Sequence, residues 1–192
     1  HKYWGLLPGT TGDRESMEYI TKEFESLGLT VEHFPYTLPE YFRPTDWSGS
    51  YTTADGQTVN LTTVYPAAPT TGTPPEGVTG EAVWAGIGAA PDYIGRDVKD
   101  KVVVIYSVFV PGGRSHSASN RARLFNAETR AVELGAAAIV TIMGVPGNGQ
   151  FQSMGGKREV PHFSLSQDEG FALRDRLATG EKVVMTLKLE AP

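Results

Sequence analysis

The stretch that most constrains the fold is residues 101–141, where a strand, a helix and a second strand follow one another. Residues 102–106, VVVIY, form a continuous and largely β-branched apolar run, which is typical of a buried strand. Apolar residues then recur every three or four positions over residues 120–134, which predicts an amphipathic helix ending at Gly135. A second apolar run, AAAIVT, follows at 136–141. Two strands joined in this way predict a right-handed βαβ unit with parallel strands.

Composition limits the classes of protein to which this chain can belong. The chain has 192 residues, 40% of them hydrophobic, which suffices for one domain or for one domain with an appendage. A formal net charge of -5 disfavours a nucleic-acid partner, because such partners select basic surfaces. No apolar run approaches the roughly 18 residues that a membrane-spanning helix needs. The absence of cysteine excludes disulfides and thiol chemistry.

The first part of the chain predicts a helix, a strand and a hairpin. One apolar stripe predicts an amphipathic helix over residues 13–27: Met17, Ile20, Phe24 and Leu27. A strand is predicted over residues 29–36. Asp55-Gly56 predicts the turn of a β-hairpin over residues 51–65. The proline-rich residues 66–77 predict a stiff linker and the best internal boundary.

The second part alternates strands and helices with long glycine-containing loops. Besides the βαβ unit, strands are predicted at 78–84, 160–165 and 182–189. Pro161 suggests that the strand at 160–165 lies at a sheet edge, or that the proline stands at the start of the strand. A capping box at residues 166–169 predicts the start of a helix that runs to residue 178.

Motifs that carry chemistry are scarce. The four histidines are widely separated and read as surface or strand-edge residues: His1, His33, His116 and His162. Ser115-His116 lacks the Gly-x-Ser-x-Gly elbow of a hydrolase, and Gly86-Ile87-Gly88 lacks the pattern of a phosphate loop. Four acidic residues read as cap or turn residues: Asp92, Asp97, Asp168 and Glu169. We therefore expect no metal site and no catalytic group in this chain.

Three arginines precede the central helix, namely Arg114, Arg121 and Arg123. Guanidinium groups clustered near a helix start could bind a carboxylate or an acidic patch on a partner. The alternative is that they are solvated surface residues.

Four segments in this order and spacing resemble a protease-associated (PA) domain: GVTGEAV at 77–83, DVKDKVVVI at 97–105, LGAAAIV at 134–140 and VPHFSLS at 160–166. The resemblance covers residues 77–189. Residues 14–31, RESMEYITKEFESLGLTV, are similar to the opening helix and strand of zinc aminopeptidases and glutamate carboxypeptidase-like enzymes.

The resemblance implies a mixed α/β fold, with a β-sandwich or open-barrel core, flanking helices and the central βαβ unit. It divides the chain into residues 1–36, the start of a zinc peptidase domain, residues 37–76, a loop, hairpin and linker, and residues 77–192, the PA domain. In that family the zinc ligands follow the inserted PA domain. We therefore expect a non-catalytic portion of a zinc exopeptidase, with no cofactor in this chain and zinc in the missing catalytic domain.

The resemblance also implies partners and a location. The partners would be the missing peptidase domain and a peptide or protein substrate, docked through loops 112–119 and 144–157. A PA-domain arginine near the central helix reaches the substrate carboxylate in some members, and Arg123, then Arg121, lie nearest that place. The location would be secreted, periplasmic or at the cell surface. The alternative is a stand-alone PA-type binding or sorting module, which would not need the helix at 13–27.

Overall fold

The computed structural model describes residues 9–35, 37, 44–67, 70–107, 127–150 and 159–191. The chain divides into two compact units, His1–Tyr41 and Phe42–Pro192. Within the described residues, no helix combines the length and apolar character that crossing a membrane requires.

The described part of the first unit contains helix α1 (Thr11–Ser26), which confirms the predicted helix. Thr10 caps it, because its hydroxyl oxygen accepts a hydrogen bond from Asp13 N at 3.2 Å. The apolar stripe on α1 is largely exposed: Met17 48%, Ile20 43%, Phe24 47% and Leu27 74%.

The strand predicted at 29–36 is wrong over its described residues. Residues 29–35 have no regular secondary structure, and Val31 is only half-buried. A strand needs a neighbour for its backbone hydrogen bonds, and no described strand pairs with this segment.

The second unit is built on one mixed sheet. Its eight described strands are β1 (Asp46–Thr52), β2 (Thr58–Leu61), β3 (Tyr65–Pro66), β4 (Val78–Trp84), β5 (Val102–Tyr106), β6 (Ala138–Ile142), β7 (His162–Leu165) and β8 (Val184–Glu190). Their order in the sheet is β2-β1-β8-β4-β5-β6-β7-β3. The described helices of this unit are α2 (Ala127–Glu133) and α3 (Gln167–Ala178), with a 3-10 turn at Ala90–Tyr93. The mixed α/β class is confirmed.

The predicted βαβ unit forms the centre of the sheet. Strands β4, β5, β6 and β7 are parallel neighbours. Successive residues of β5 face opposite sides, so Val103 belongs to the same buried apolar cluster as Ala131 of α2, while Val104 belongs to the cluster that contains Leu173 of α3. The two helices therefore cover opposite faces of the sheet.

The far ends of the sheet curve toward each other. Trp47 of β1 and Tyr65 of β3 meet edge to face, with ring centroids 5.0 Å apart. Trp47 Nε1 also donates a hydrogen bond to Val64 O at 3.1 Å. This rolled sheet corresponds to the open-barrel form of the expected core.

Several predicted boundaries differ from the observed ones. Strand β1 begins at Asp46, within a region expected to be irregular, and pairs with β8 along its whole length. Residues 66–77 therefore connect strands of one sheet, and the compact units divide near residue 41 instead. Helix α2 is described only from Ala127, so residues 120–126 of the predicted helix lie outside the described residues. Strand β7 pairs on both sides, so Pro161 marks a strand start and no sheet edge.

Candidate functional site

The four parallel strands end at one side of the sheet, at Trp84, Tyr106, Ile142 and Leu165. In open α/β sheets, ligands bind outside the carboxyl ends of the parallel strands. We call this side the carboxyl edge, and define it by the described segments 85–95, 107, 143–150 and 166–169. The arginine-bearing segment 108–126 follows residue 107 directly in the chain.

Helix α3 begins at the carboxyl edge with an altered capping box. Ser166 is the N-cap, and its hydroxyl oxygen accepts a hydrogen bond from Glu169 N at 3.4 Å. In a complete box the Glu169 carboxylate would bind Ser166 N. Instead, Ser166 N donates to Thr63 Oγ1 at 3.2 Å. The second half of the predicted capping box is therefore wrong, because a threonine from the β2–β3 connection takes the place of the glutamate.

The Glu169 carboxylate binds two threonines of the β2–β3 connection. Oε1 accepts from the Thr62 amide at 2.9 Å and from its hydroxyl at 2.6 Å. Oε2 accepts from the Thr63 amide at 3.0 Å and from its hydroxyl at 2.6 Å. Burial by itself raises the pKa of Glu169, but these bonds outweigh it and hold the pKa below its ordinary value of 4.5. The ionised Glu169 side chain therefore links the start of α3 to the β2–β3 connection. We call Glu169, Thr62 and Thr63 the latch.

The loop after β6 joins the same set of residues. Asn148 Oδ1 accepts from Ser166 Oγ at 3.0 Å, and Gln150 Nε2 donates to Thr62 O at 3.1 Å. We call Thr62, Thr63, Asn148, Gln150, Ser166 and Glu169 the polar cluster. Beside it, Gln167 Nε2 donates to Tyr106 Oη at 3.2 Å, which ties α3 to the end of β5.

The other half of the carboxyl edge is a glycine-containing loop closed by Asp92. Its Oδ2 accepts from Ile87 N at 3.1 Å and from Ala89 N at 2.9 Å. The carboxylate so fills the loop that a Cβ on Gly86 would lie 2.7 Å from Asp92 Oδ1. The amides of Ile87 and Ala89 already donate to Asp92, so they are not available to bind a phosphate. Asp92 is therefore a turn residue, as the sequence predicts.

A buried tyrosine braces this loop against α2. Tyr93 Oη donates to Ala127 O at 3.2 Å, and Arg130 donates to Gly88 O at 2.6 Å. Burial raises the pKa of Tyr93 to about 12, so its hydroxyl is protonated at neutral pH and serves as a donor.

The described residues of the carboxyl edge provide hydrogen-bonding groups and few reactive ones. Among the described residues, no group of three or more His, Asp or Glu side chains could hold a metal ion. The polar cluster consists of hydroxyls, amides and one ionised carboxylate whose lone pairs are occupied by Thr62 and Thr63. Such a surface can present hydrogen-bonding groups to a ligand, and it contains no pair of acid and base.

The predicted substrate residues Arg121 and Arg123 lie outside the described residues, as do Arg114 and loop 112–119. Loop 144–157 is described only to residue 150.

For the histidines the prediction holds in part. His33 is exposed, as predicted, with Nε2 3.4 Å from Thr21 Oγ1. The prediction is wrong for His162, which is fully buried in β7 with Nε2 2.8 Å from Thr141 Oγ1. A polar strand residue can be buried when a neighbouring hydroxyl satisfies it. His1 and His116 lie outside the described residues.

Sequence reasoning missed most of the polar cluster. Thr62 and Thr63 stand 107 and 106 residues from Glu169, so no local pattern joins them. The only available signal was the capping box, which identified Ser166 and Glu169 as a pair at a helix start.

Comparison with known proteins gives structural likeness only. No family model matches the chain, and no curated protein sequence matches it. An aminopeptidase from Aneurinibacillus sp. strain AM-1 is 23% identical, with a TM-score of 0.58. The likeness covers 97% of this chain and 41% of the aminopeptidase chain. The zinc aminopeptidase BSAP from Bacillus subtilis is 20% identical, with a TM-score of 0.63 over 96% of this chain and 39% of its own.

A peptidase M28 precursor from Shewanella amazonensis SB2B is 17% identical, with a TM-score of 0.61 over 97% of this chain and 43% of its own. The chain therefore spans about two fifths of the length of these peptidases. At such identities the likeness shows a shared fold. The fold is the one found in part of several bacterial peptidases.

Proposed function

We propose that this chain is the non-catalytic, PA-type portion of a zinc-dependent exopeptidase, either an aminopeptidase or a carboxypeptidase-like enzyme. The observation that carries the proposal is that the likeness to aminopeptidases extends over 96–97% of the chain, which takes in α1 as well as the sheet. A free-standing PA module would not need α1. Its exposed apolar stripe is also what a helix shows when it packs against further protein.

In this proposal the zinc is held outside the described residues. They contain no group of three His, Asp or Glu side chains fit to ligate it. We therefore assign no catalytic step to them, and the role of this portion is to shape access to a peptidase active site.

The carboxyl edge is the surface proposed to face the substrate. The polar cluster gives it a fixed set of hydroxyl and amide groups, and Glu169 holds the α3 start and the β2–β3 connection together. Arg123 and Arg121 belong to the segment that follows β5 and are proposed to contact the substrate carboxylate.

An activity assay tests the non-catalytic role. The purified chain is incubated with Zn²⁺ and aminoacyl or peptidyl chromogenic substrates, and we expect no turnover. Hydrolysis that co-elutes with the chain in gel filtration, disappears with a chelator and returns with zinc would overturn the proposal. Co-elution serves as the control against a contaminating host peptidase.

The arginine contacts are tested separately, in the complete enzyme. Arg123→Gln and Arg121→Gln should raise KM several-fold for substrates with a free terminal carboxylate, with little change in kcat. Arg174→Gln is the matched control and should leave KM unchanged, because Arg174 pairs with Asp175 on α3 and lies outside the carboxyl edge. Equal effects on substrates with amidated termini would contradict a carboxylate contact.

The alternative is a stand-alone PA-type binding or sorting module. The coding sequence beyond residue 192 distinguishes the two. A downstream segment containing His-x-Asp supports the peptidase, whereas its absence favours the module. For location we propose the secreted, periplasmic or cell-surface space, and cell fractionation with an antibody to the chain checks it.

A further inference from the structure

The two outer strands of the sheet differ in how they are protected. Strand β3 has two residues, one of them Pro66, and both are buried. Strand β2, Thr58–Leu61 at the other end, has four residues and contains no proline and no charge. Proteins block edge pairing with short strands, prolines and charges. Among the strands that the structure describes, β2 is thus the longer and less guarded edge.

The hairpin turn fixes which backbone groups of β2 point outward. Thr53 N donates to Gln57 O at 2.9 Å, so Thr53 and Gln57 form a hydrogen-bonded pair. Such pairs alternate along an antiparallel ladder, and the next ones are Tyr51 with Val59 and Gly49 with Leu61. The N–H and C=O groups of Thr58 and Asn60 therefore point away from β1, and no described strand pairs with them.

The side chains of β2 form a polar face and an apolar face. Thr58 and Asn60 are exposed, whereas Leu61 is buried and Val59 packs against the main core cluster. A strand lying beside β2 would thus meet uncharged polar groups on one face and the partly exposed Val59 on the other.

The size of this edge decides between a second copy and a peptide. Four residues of strand span about 13 Å. Pairing along so short an edge buries far less surface than the roughly 1,200 Å² or more of a stable protein–protein interface. A peptide needs only main-chain hydrogen bonds and places for alternate side chains. We propose that β2 binds an extended peptide segment, by strand addition at Thr58 and Asn60, with an apolar side chain beside Val59. This inference concerns the chain alone and does not depend on the proposed peptidase.

Proline at position 60 tests the proposal. Because the Asn60 N–H points outward, Asn60→Pro removes a donor for the peptide while the bonds between β1 and β2 remain. We expect binding of a dye-labelled hexapeptide of alternating Val and Lys, measured by fluorescence anisotropy, to weaken by about two- to tenfold. Asn60→Ala is the matched control, since it keeps the N–H, and it should bind as the wild-type chain does.

A native melting temperature for Asn60→Pro with unchanged binding would overturn the proposal, as would no binding by the wild-type chain. Self-association that Asn60→Pro abolishes would also overturn it, because the occupant would then be a second copy.

A second measurement does not depend on the folding of a variant. Only alternate amides of an added strand face β2, so N-methylating one alternating set in the peptide should abolish binding and methylating the other set should not. Equal loss from both sets would contradict strand addition.

Discussion

At the residue scale, Glu169 joins two distant segments through four hydrogen bonds to a charged group. Such bonds contribute more than neutral ones, and each donor left without its acceptor must find water or remain unpaired. The latch therefore contributes to stability as well as to the shape of the carboxyl edge.

Glu169→Gln should lower the free energy of unfolding by about 1–3 kcal/mol at neutral pH, because an amide nitrogen would face two donors. Since folding lowers the pKa of Glu169, its contribution is complete above the ordinary value of 4.5 and is lost as the pH falls through the lowered pKa. The difference between variant and wild type should therefore shrink in acid. Urea unfolding at several pH values measures it, with the exposed Glu76→Gln as control. A penalty that grows in acid would contradict the latch.

A second residue-scale prediction concerns Gly170, which lies where α3 crosses β6. A Cβ at this position would lie 2.5 Å from Ile142 Cγ2, and Ile142 is fully buried. Gly170→Ala should destabilise the protein by about 1–2 kcal/mol, because overpacking outweighs the gain in helix propensity. Thermal unfolding measures the loss.

Two further variants separate the effect of helix propensity from that of overpacking at Gly170. Ala172→Gly, at an exposed position of α3, calibrates the propensity term. Combining Gly170→Ala with Ile142→Ala should cost less than the sum of the single changes, because the smaller side chain makes room. Strict additivity would show that the close contact is not the cause.

At the element scale, the β1–β2 hairpin depends on one backbone conformation. Gly56 has φ +85° in the turn, and a Cβ there would meet nothing within 4 Å. Gly56→Ala should therefore cost about 1 kcal/mol from the left-handed conformation alone, and Gly56→Asn should cost less, since Asn tolerates that region. Denaturant midpoints compare the two. An equal loss in both variants would argue against a conformational cause.

The elements that sequence predicted best are those with local signals. The bounds of β4 and β5 match their predictions, because apolar runs and flanking glycine or charge define both ends. Helix α3 and its Ser166 cap follow equally from a local motif. What sequence could not give is pairing at long range, such as β1 with β8 or Thr62 with Glu169. For the candidate site, only Ser166 and Glu169 were accessible to local reasoning, and Arg121 and Arg123 remain predictions.

At the scale of the whole molecule, the hairpin and the parallel strands belong to one compact unit, Phe42–Pro192. Strand β1 pairs with β8 over seven residue pairs, and Tyr51, Leu61 and Val64 contribute to the main core cluster. A boundary at residue 77 would remove these strands and leave one side of β8 unpaired.

A comparison of two shorter chains tests this. Residues 42–192 should retain a dispersed amide spectrum, whereas residues 77–192 should lose it, because the core and both threonines of the latch are gone. The longer piece is the matched control for removing residues 1–41. A native spectrum from residues 77–192 would restore the predicted linker as the true domain boundary.

Strand β8 lies between β1 and β4, although both are encoded more than ninety residues earlier. During translation, β1 therefore has no partner strand on its β8 side until residues 184–190 have left the ribosome. Until then, the edges of β1 and β4 that β8 later pairs with are both open in the nascent chain, and open strand edges are prone to pair with other chains.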